Sequence, residues 1–222
     1  MKAMILAAGR GERLRPLTDR VPKALAPVGG EPMLAHQLRW LAAAGIREVV
    51  INLHHLGEQI VAAVGDGAGF GLTVRYSRED TLLETGGGIV NALPLLGEAP
   101  FLLLNGDIYT DFPLTALPDR PPAGSLAHLV VTPRPAFRDR GDFDVEDGVV
   151  RRRGDGFVYC GIALLDPRAL DGRRAERFSL REVYFELLAR GALTAQEWRG
   201  FWSDIGDLTQ LREVDAHHRA KA

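Results

Sequence analysis

Ala3-Met4-Ile5-Leu6-Ala7-Ala8-Gly9-Arg10-Gly11-Glu12-Arg13-Leu14-Arg15-Pro16-Leu17-Thr18 decides the fold. A short apolar run passes at once into glycines and charges. Residues 3–7 therefore read as a buried first strand, and the glycines as the turn that leaves it. The apolar stretch is too short for the core of a signal peptide and has no small-residue cleavage site. A glycine-rich turn after a first strand can present backbone N–H groups to phosphate. It is not a Walker loop, because no Gly-Lys-Ser/Thr follows at the required spacing. It is not a dinucleotide fingerprint either. Gly9-x-Gly11 fits, but Leu14 stands where a third glycine would let a helix pack close to the sheet, and Pro16 follows. The loop instead carries Arg10, Arg13 and Arg15 and ends in Pro22-Lys23. That combination suits a chain of phosphates. An ordinary strand-to-helix turn with solvated arginines is the competing reading.

Outward from this stretch, apolar runs alternate with helical patterns. Strands are expected at 3–7, 48–53, 72–76 and 101–104, and helices at 32–44, 56–64 and 86–96. Pro32 opens the first helix and Gly45 follows its end. Continuous apolar strands between helices predict an α/β fold, a mostly parallel central sheet flanked by helices. Ligands of such sheets bind at the carboxyl ends of the strands. The second half is less regular. Strands are expected at 126–131 and 158–165, and a hairpin at 143–145 and 149–151 around Asp147-Gly148. Ser179 and Glu182 form a capping box for a helix to about 189. Asp207 caps a last helix through 218, and 119–124 is a loop.

Composition narrows the function classes. The chain has 222 residues, 46% hydrophobic and 25% charged, with net charge −2. These values fit one globular domain over 1–222. No apolar run approaches the ~18–20 residues of a membrane span. With 27 basic and 29 acidic residues, a broad nucleic-acid surface is not expected. Cys160 is the only cysteine, which excludes a disulfide framework and a cysteine zinc cluster. Cytoplasm is the expected compartment. Of the 27 basic residues only Lys2, Lys23 and Lys221 are lysine, so Lys23 stands alone in the interior of the sequence. Lysine is a compact point charge where arginine is a wide fork.

Three further segments carry candidate chemistry. Asn105-Gly106-Asp107 follows an apolar strand and puts a carboxylate at the ligand-binding edge. Hard oxygens of this kind suit Mg²⁺, while a plain Asn-Gly-Asp turn is the bland alternative. Asp204, in Trp202-Ser203-Asp204-Ile205-Gly206, is either a helix-end cap or a second carboxylate that meets Asp107 and completes a magnesium site. Thr85-Gly86-Gly87-Gly88 weakens a helix start. Close approach of a planar group or sugar would explain it, as would a tight helix–sheet contact. His54-His55, His128 and His217-His218 show no ligand spacing and read as structural or surface residues.

Taken in order, Leu6-Ala7-Ala8-Gly9-x-Gly11-x-Arg13-Leu14-x-Pro16-Leu17-Thr18, Pro22-Lys23, Pro27-Val28, the Thr85–Gly88 turn, Asn105-Gly106-Asp107 and Trp202–Gly206 resemble the signature of the sugar-1-phosphate nucleotidyltransferases. The resemblance spans nearly the whole chain. It implies a Rossmann-like nucleotidyltransferase fold, with a nucleotide-binding half over about 1–110 and a sugar-phosphate half over about 111–222. It implies in-line attack of a sugar phosphate oxygen on the α-phosphate of a nucleoside triphosphate. Carried over residue by residue, Ala7 and Gly9 would meet the base, with Glu84, Thr85 and Gly86 on the nucleotide side. Gly11, Glu12 and Arg13 would hold the triphosphate, and Lys23 would neutralise the α-phosphate, making Arg13 and Lys23 the catalytic pair. Asn105, Gly141 and Ser203 would serve the sugar side. Asp107 and Asp204 would hold Mg²⁺.

Leu83–Ile89 and Phe178-Ser179-Leu180 are most similar to the branch that uses UTP and N-acetylmuramate 1-phosphate in cell-wall recycling. A guanylyl- or cytidylyltransferase acting on mannose, heptose or another sugar phosphate is the first alternative. A non-catalytic sugar-nucleotide-binding subunit is the second, and it predicts loss of the catalytic charges. Neither a nucleic acid nor a membrane is an expected partner, and a monomer or small homo-oligomer is the expected state. The chain departs from many members before Tyr159-Cys160-Gly161-Ile162, where it reads Arg151-Arg152-Arg153-Gly154-Asp155-Gly156 and they carry a Glu-Lys-Pro segment whose charges reach the sugar phosphate.

Overall fold

The computed structural model describes residues 1–221. Strand β1 (Ala3–Leu6) runs into a long loop that closes with the small hairpin β2 (Pro27–Val28) and β3 (Glu31–Pro32). Helix α1 (Met33–Ala43), β4 (Glu48–Leu53), α2 (Gly57–Val64), β5 (Thr73–Arg78), α3 (Glu84–Leu96) and β6 (Phe101–Asn105) complete the alternating half. Then come β7 (Ile108–Thr110), β8 (Ala127–Pro133), β9 (Phe143–Glu146), β10 (Val149–Arg153) and β11 (Phe157–Leu165). The chain continues through α4 (Leu180–Ala189), β12 (Leu193–Glu197), β13 (Trp202–Asp204) and α5 (Leu208–Lys221).

One nine-stranded sheet runs β5-β4-β1-β6-β11-β8-β12-β10-β9. Its first four strands are parallel, with Ala3 level with Val49 on one side and Leu102 on the other. Helical crossovers between these strands make that direction possible. The sheet is parallel throughout this half and mixed in the other. β11 lies antiparallel to both β6 and β8, β12 returns parallel to β8, and the β9–β10 hairpin closes the edge. Its turn has positive φ at Asp147 and Gly148 (49° and 76°), the geometry that matches strand twist. The strands at 108–110, 193–197 and 202–204 have no counterpart in the sequence reading.

Side chains alternate across the sheet, so each apolar strand feeds two cores. Ile5, Ile51 and Leu104 pack with Leu34, Leu38 and Ile60 of α1 and α2. Met4, Leu103 and Leu129 pack with Ile89, Val183 and Leu187 of α3 and α4. A third, smaller core joins Leu14, Ala26 and Val28 to Ile205, Leu211 and Val214. It ties the loop after β1 to the start of α5 and so brings the two ends of the sequence to one place. The Ser179 capping box forms as expected, and Asp207 Oδ1 accepts the N–H groups of Thr209 and Gln210 at 2.8 and 3.0 Å.

The paired histidines serve structure. His54 and His55 meet the carbonyls of Glu79 and Thr18, His217 stacks on Phe201, and His218 faces the Tyr109 hydroxyl. Among the described residues no helix is long and apolar enough to cross a membrane.

Candidate active site

The parallel strands β1, β4, β5 and β6 end on one edge, and a cavity of about 640 Å³ opens there. That size suits a nucleotide-scale ligand. A buried line of hydrogen bonds forms its floor. The Ala7 N–H donates to Asn52 Oδ1 at 2.7 Å, and Asn52 Nδ2 donates to Glu79 Oε1 at 2.7 Å. Glu79 Oε2 then accepts the Leu83 N–H at 3.0 Å. The ends of β1, β4 and β5 are thereby locked to the start of α3.

The glycine loop wraps the near wall. Gly11 has φ +62°, and a Cβ there would meet Thr18 Cγ2 at 2.9 Å and Lys23 Cβ at 3.0 Å. The Thr18 hydroxyl donates to the Gly11 carbonyl at 2.8 Å. The loop coils tightly on itself, which carries Lys23 back over the cavity to form an ion pair with Asp107. Arg13 lies against Gly206, where a Cβ would stand 3.1 Å from its guanidinium nitrogens.

Asp107 and Asp204 come together through the short β7–β13 ladder. Asp204 pairs with Ile108, next to Asp107 in sequence, and the Ile205 N–H donates to the Asp107 carbonyl at 2.7 Å. Each carboxylate carries its own cation, Lys23 on Asp107 and Arg138 on Asp204. Among the described residues no cluster of three or more His, Cys, Asp or Glu could hold a metal. Two hard carboxylates are nonetheless the protein share that Mg²⁺ takes when phosphates and water complete its shell.

The other candidates divide. Ala7, Gly9, Gly11, Glu12, Arg13, Lys23, Glu84, Thr85, Asn105 and Asp107 line the cavity. Gly86, Gly141, Ser203 and Asp204 are not among its lining residues. Gly86 packs against the Phe178 ring and Gly87 against the Glu176 carbonyl, so the glycine run serves a tight helix contact. The Thr85 hydroxyl accepts the Leu180 N–H at 2.9 Å, tying α3 to α4. Glu84 takes φ +59° and pairs with Arg177 at 2.7 Å. Gly141 donates its N–H to Asp155 Oδ1 at 3.0 Å, on a loop beside the β9–β10 hairpin. Ser203 is buried. Burial, with the charges of Asp142 and Asp204, pushes the Cys160 thiol well up, so it stays protonated and offers no nucleophile.

Asn52, Glu79 and Arg138 escape the sequence reading. A lone polar residue inside Val49-Val50-Ile51-Asn52-Leu53 is the one signal that could have found the first.

Residues 2–132 match the sequence profile described as nucleotidyl transferase. The chain belongs to that family. This nucleotidyltransferase is 42% identical, over 97% of both chains, to an N-acetylmuramate alpha-1-phosphate uridylyltransferase from Neisseria meningitidis serogroup B. It is 32% identical to a mannose-1-phosphate guanyltransferase from Aspergillus fumigatus, covering 93% of this chain and 61% of that protein. Its fold is that of HddC from Yersinia pseudotuberculosis, with a TM-score of 0.80, 21% identity, and 98% and 99% of the two chains covered.

Proposed function

We propose that this nucleotidyltransferase transfers uridylyl from UTP to N-acetylmuramate 1-phosphate with Mg²⁺ and releases pyrophosphate. The observation that carries the reading is the 42% identity along nearly the full length of both chains to the Neisseria enzyme. The cleft supports the chemistry. A phosphate oxygen of the sugar phosphate attacks the α-phosphorus, and the bond to the bridging oxygen of pyrophosphate breaks. Such transfers rest on positioning and charge neutralisation rather than on a covalent protein intermediate.

Backbone groups of Ala7 and Gly9 meet the base, with Glu84 and Thr85 beside it. Gly11, Glu12 and Arg13 hold the triphosphate, and Lys23 meets the α-phosphate. Asn105 and Gly141 stand on the sugar side. Asp107 and Asp204 would hold Mg²⁺, which when bound would supply Lewis-acid polarisation of the reacting phosphate.

A guanylyltransferase using mannose 1-phosphate is the second reading, favoured by the 32% identity to the Aspergillus protein. The test is pyrophosphate release with Mg²⁺ across four nucleoside triphosphates and a panel of sugar 1-phosphates. Turnover confined to UTP with N-acetylmuramate 1-phosphate is expected. Turnover with GTP and mannose 1-phosphate would replace the substrates and keep the mechanism. Silence across the grid would leave a binding subunit.

A further inference from the structure

Arg138 reaches the metal edge from the loop between β8 and β9 and holds Asp204. Its main chain is fixed. The Arg138 carbonyl accepts Arg134 Nη1 at 2.7 Å, and Arg134 Nε donates to the Asp155 carbonyl at 3.2 Å. Its side chain is not fully satisfied, because Nε is buried with no acceptor among the described residues. An arginine presents five N–H donors in a fork that matches phosphate. The guanidinium also lies 6.0 Å from the Trp202 ring centroid, and Trp202 Nε1 is anchored on the Cys160 carbonyl at 2.8 Å.

The three consecutive arginines of β10 are occupied elsewhere. Arg151 pairs with Glu146, Arg152 with Asp144, and Arg153 lies over Phe185 at 4.3 Å. Arg134 and Arg140 of the same loop are exposed, whereas Arg138 is half-buried against Asp204. Charge counting then gives Arg138 a task. Asp107 and Asp204 are each neutralised by one side chain, so a divalent ion on both carboxylates frees two cations. A sugar phosphate brings nearly two negative charges with it.

We propose that Arg138 grips the phosphate of the sugar substrate, and that it is parked on Asp204 until a divalent cation takes that carboxylate. The inference rests on the proposed sugar-phosphate chemistry and names the residue that performs the grip. It also couples the two events: metal on Asp204 releases the arginine that recruits the second substrate.

The test needs no turnover. N-acetylmuramate 1-phosphate is titrated calorimetrically into the enzyme with α,β-methylene-UTP, with and without Mn²⁺, and free Mn²⁺ is followed by electron paramagnetic resonance. In the wild type, Mn²⁺ should tighten sugar-phosphate binding. Arg138→Ala should weaken that binding about ten- to hundredfold, the range of charge-assisted hydrogen bonds, and abolish the tightening. The same variant should bind Mn²⁺ at least as tightly as the wild type, with nucleotide affinity within about twofold. Arg138→Lys should recover part of the sugar-phosphate affinity.

Equal sugar-phosphate affinity in wild type and Arg138→Ala, or no effect of Mn²⁺ on the wild type, would overturn the inference. So would joint loss of nucleotide affinity and melting temperature in both variants, which marks a merely structural contact. A wild type that binds the nucleotide and Mn²⁺ but no sugar 1-phosphate would instead overturn the proposed function, and this inference with it.

Discussion

At the scale of single residues, Lys23 shows how a loop places a charge. Gly11 in left-handed geometry leaves room for Thr18 and for the Lys23 stem, both of which a Cβ would crowd. The amine then rests on Asp107, with the lysine side chain 16% exposed and the aspartate 27%. In water an ion pair contributes little; in a half-closed cleft it holds both charges in position. Lys23→Ala should lower kcat by about 10²–10³ with little change in the far-UV circular dichroism. Lys23→Arg should not restore it, because the wide planar head replaces a compact charge in a space already set by Gly11 and Thr18. Asp107→Asn should remove most metal-dependent turnover and raise the Mg²⁺ concentration needed for what is left. Steady-state rates over a Mg²⁺ series decide among these, and wild-type kinetics in either alanine or asparagine variant would make the pair incidental.

At the scale of elements, the glycine run that opens α3 is a docking surface for residues 176–179. The Gly86 N–H donates to the Phe178 carbonyl at 3.0 Å, and the Phe178 N–H donates to the Leu83 carbonyl at 3.2 Å. Alanine in place of Gly87 would gain up to about 1 kcal/mol of helix propensity. Its methyl group would overlap the Glu176 carbonyl, a backbone atom that cannot swing aside. Overpacking of this kind costs about 1–3 kcal/mol, so Gly87→Ala should be net destabilising. Gly69→Ala, where a Cβ meets nothing within 4 Å, is the control and should be neutral or slightly stabilising in the same urea titration. Equal midpoints for the two variants would remove the packing argument. The elements that were legible in the sequence are those with long apolar runs or explicit caps, such as β4, β6 and the Ser179 box. β12 and β13 were not, because Leu193-Thr194-Ala195-Gln196-Glu197 and Trp202-Ser203-Asp204 are short and half polar, and become strands only beside β8 and β7. The site divides the same way. The loop from Gly9 to Lys23 is contiguous and could be read directly. The Ala7–Asn52–Glu79 line and the Arg138–Asp204 contact join residues 45, 27 and 66 positions apart, which no local pattern records.

At the scale of the whole molecule, β8 lies inside the nine-stranded sheet, between β11 and β12, and carries a buried histidine. His128 Nδ1 stands 2.9 Å from Thr194 Oγ1, and Nε2 stands 3.1 Å from Gln196 Oε1. Burial lowers its pKa below the ordinary 6.5, and the Gln196 hydrogen bond only partly opposes this. The sign follows from proton counting. As pH falls through about 6.5, the unfolded chain takes up the proton before the folded one, so the unfolded state is favoured. The stability associated with neutral His128 is therefore present above that pH and is lost below it. Buried carboxylates act in a separate, more acidic window. Arg168 holds the Asp166 carboxyl below its usual range, so that contribution persists until the pH falls further. Because the sheet is continuous through β8, protonation at His128 should weaken the entire fold rather than fray one edge. Urea midpoints at pH 7.5 and 5.5 should differ for the wild type, with the lower value at pH 5.5. His128→Gln keeps a hydrogen-bonding group but cannot titrate, so its midpoint should change less over the same interval. Parallel shifts in the two proteins would mean that the acid sensitivity resides elsewhere and that His128 serves only packing.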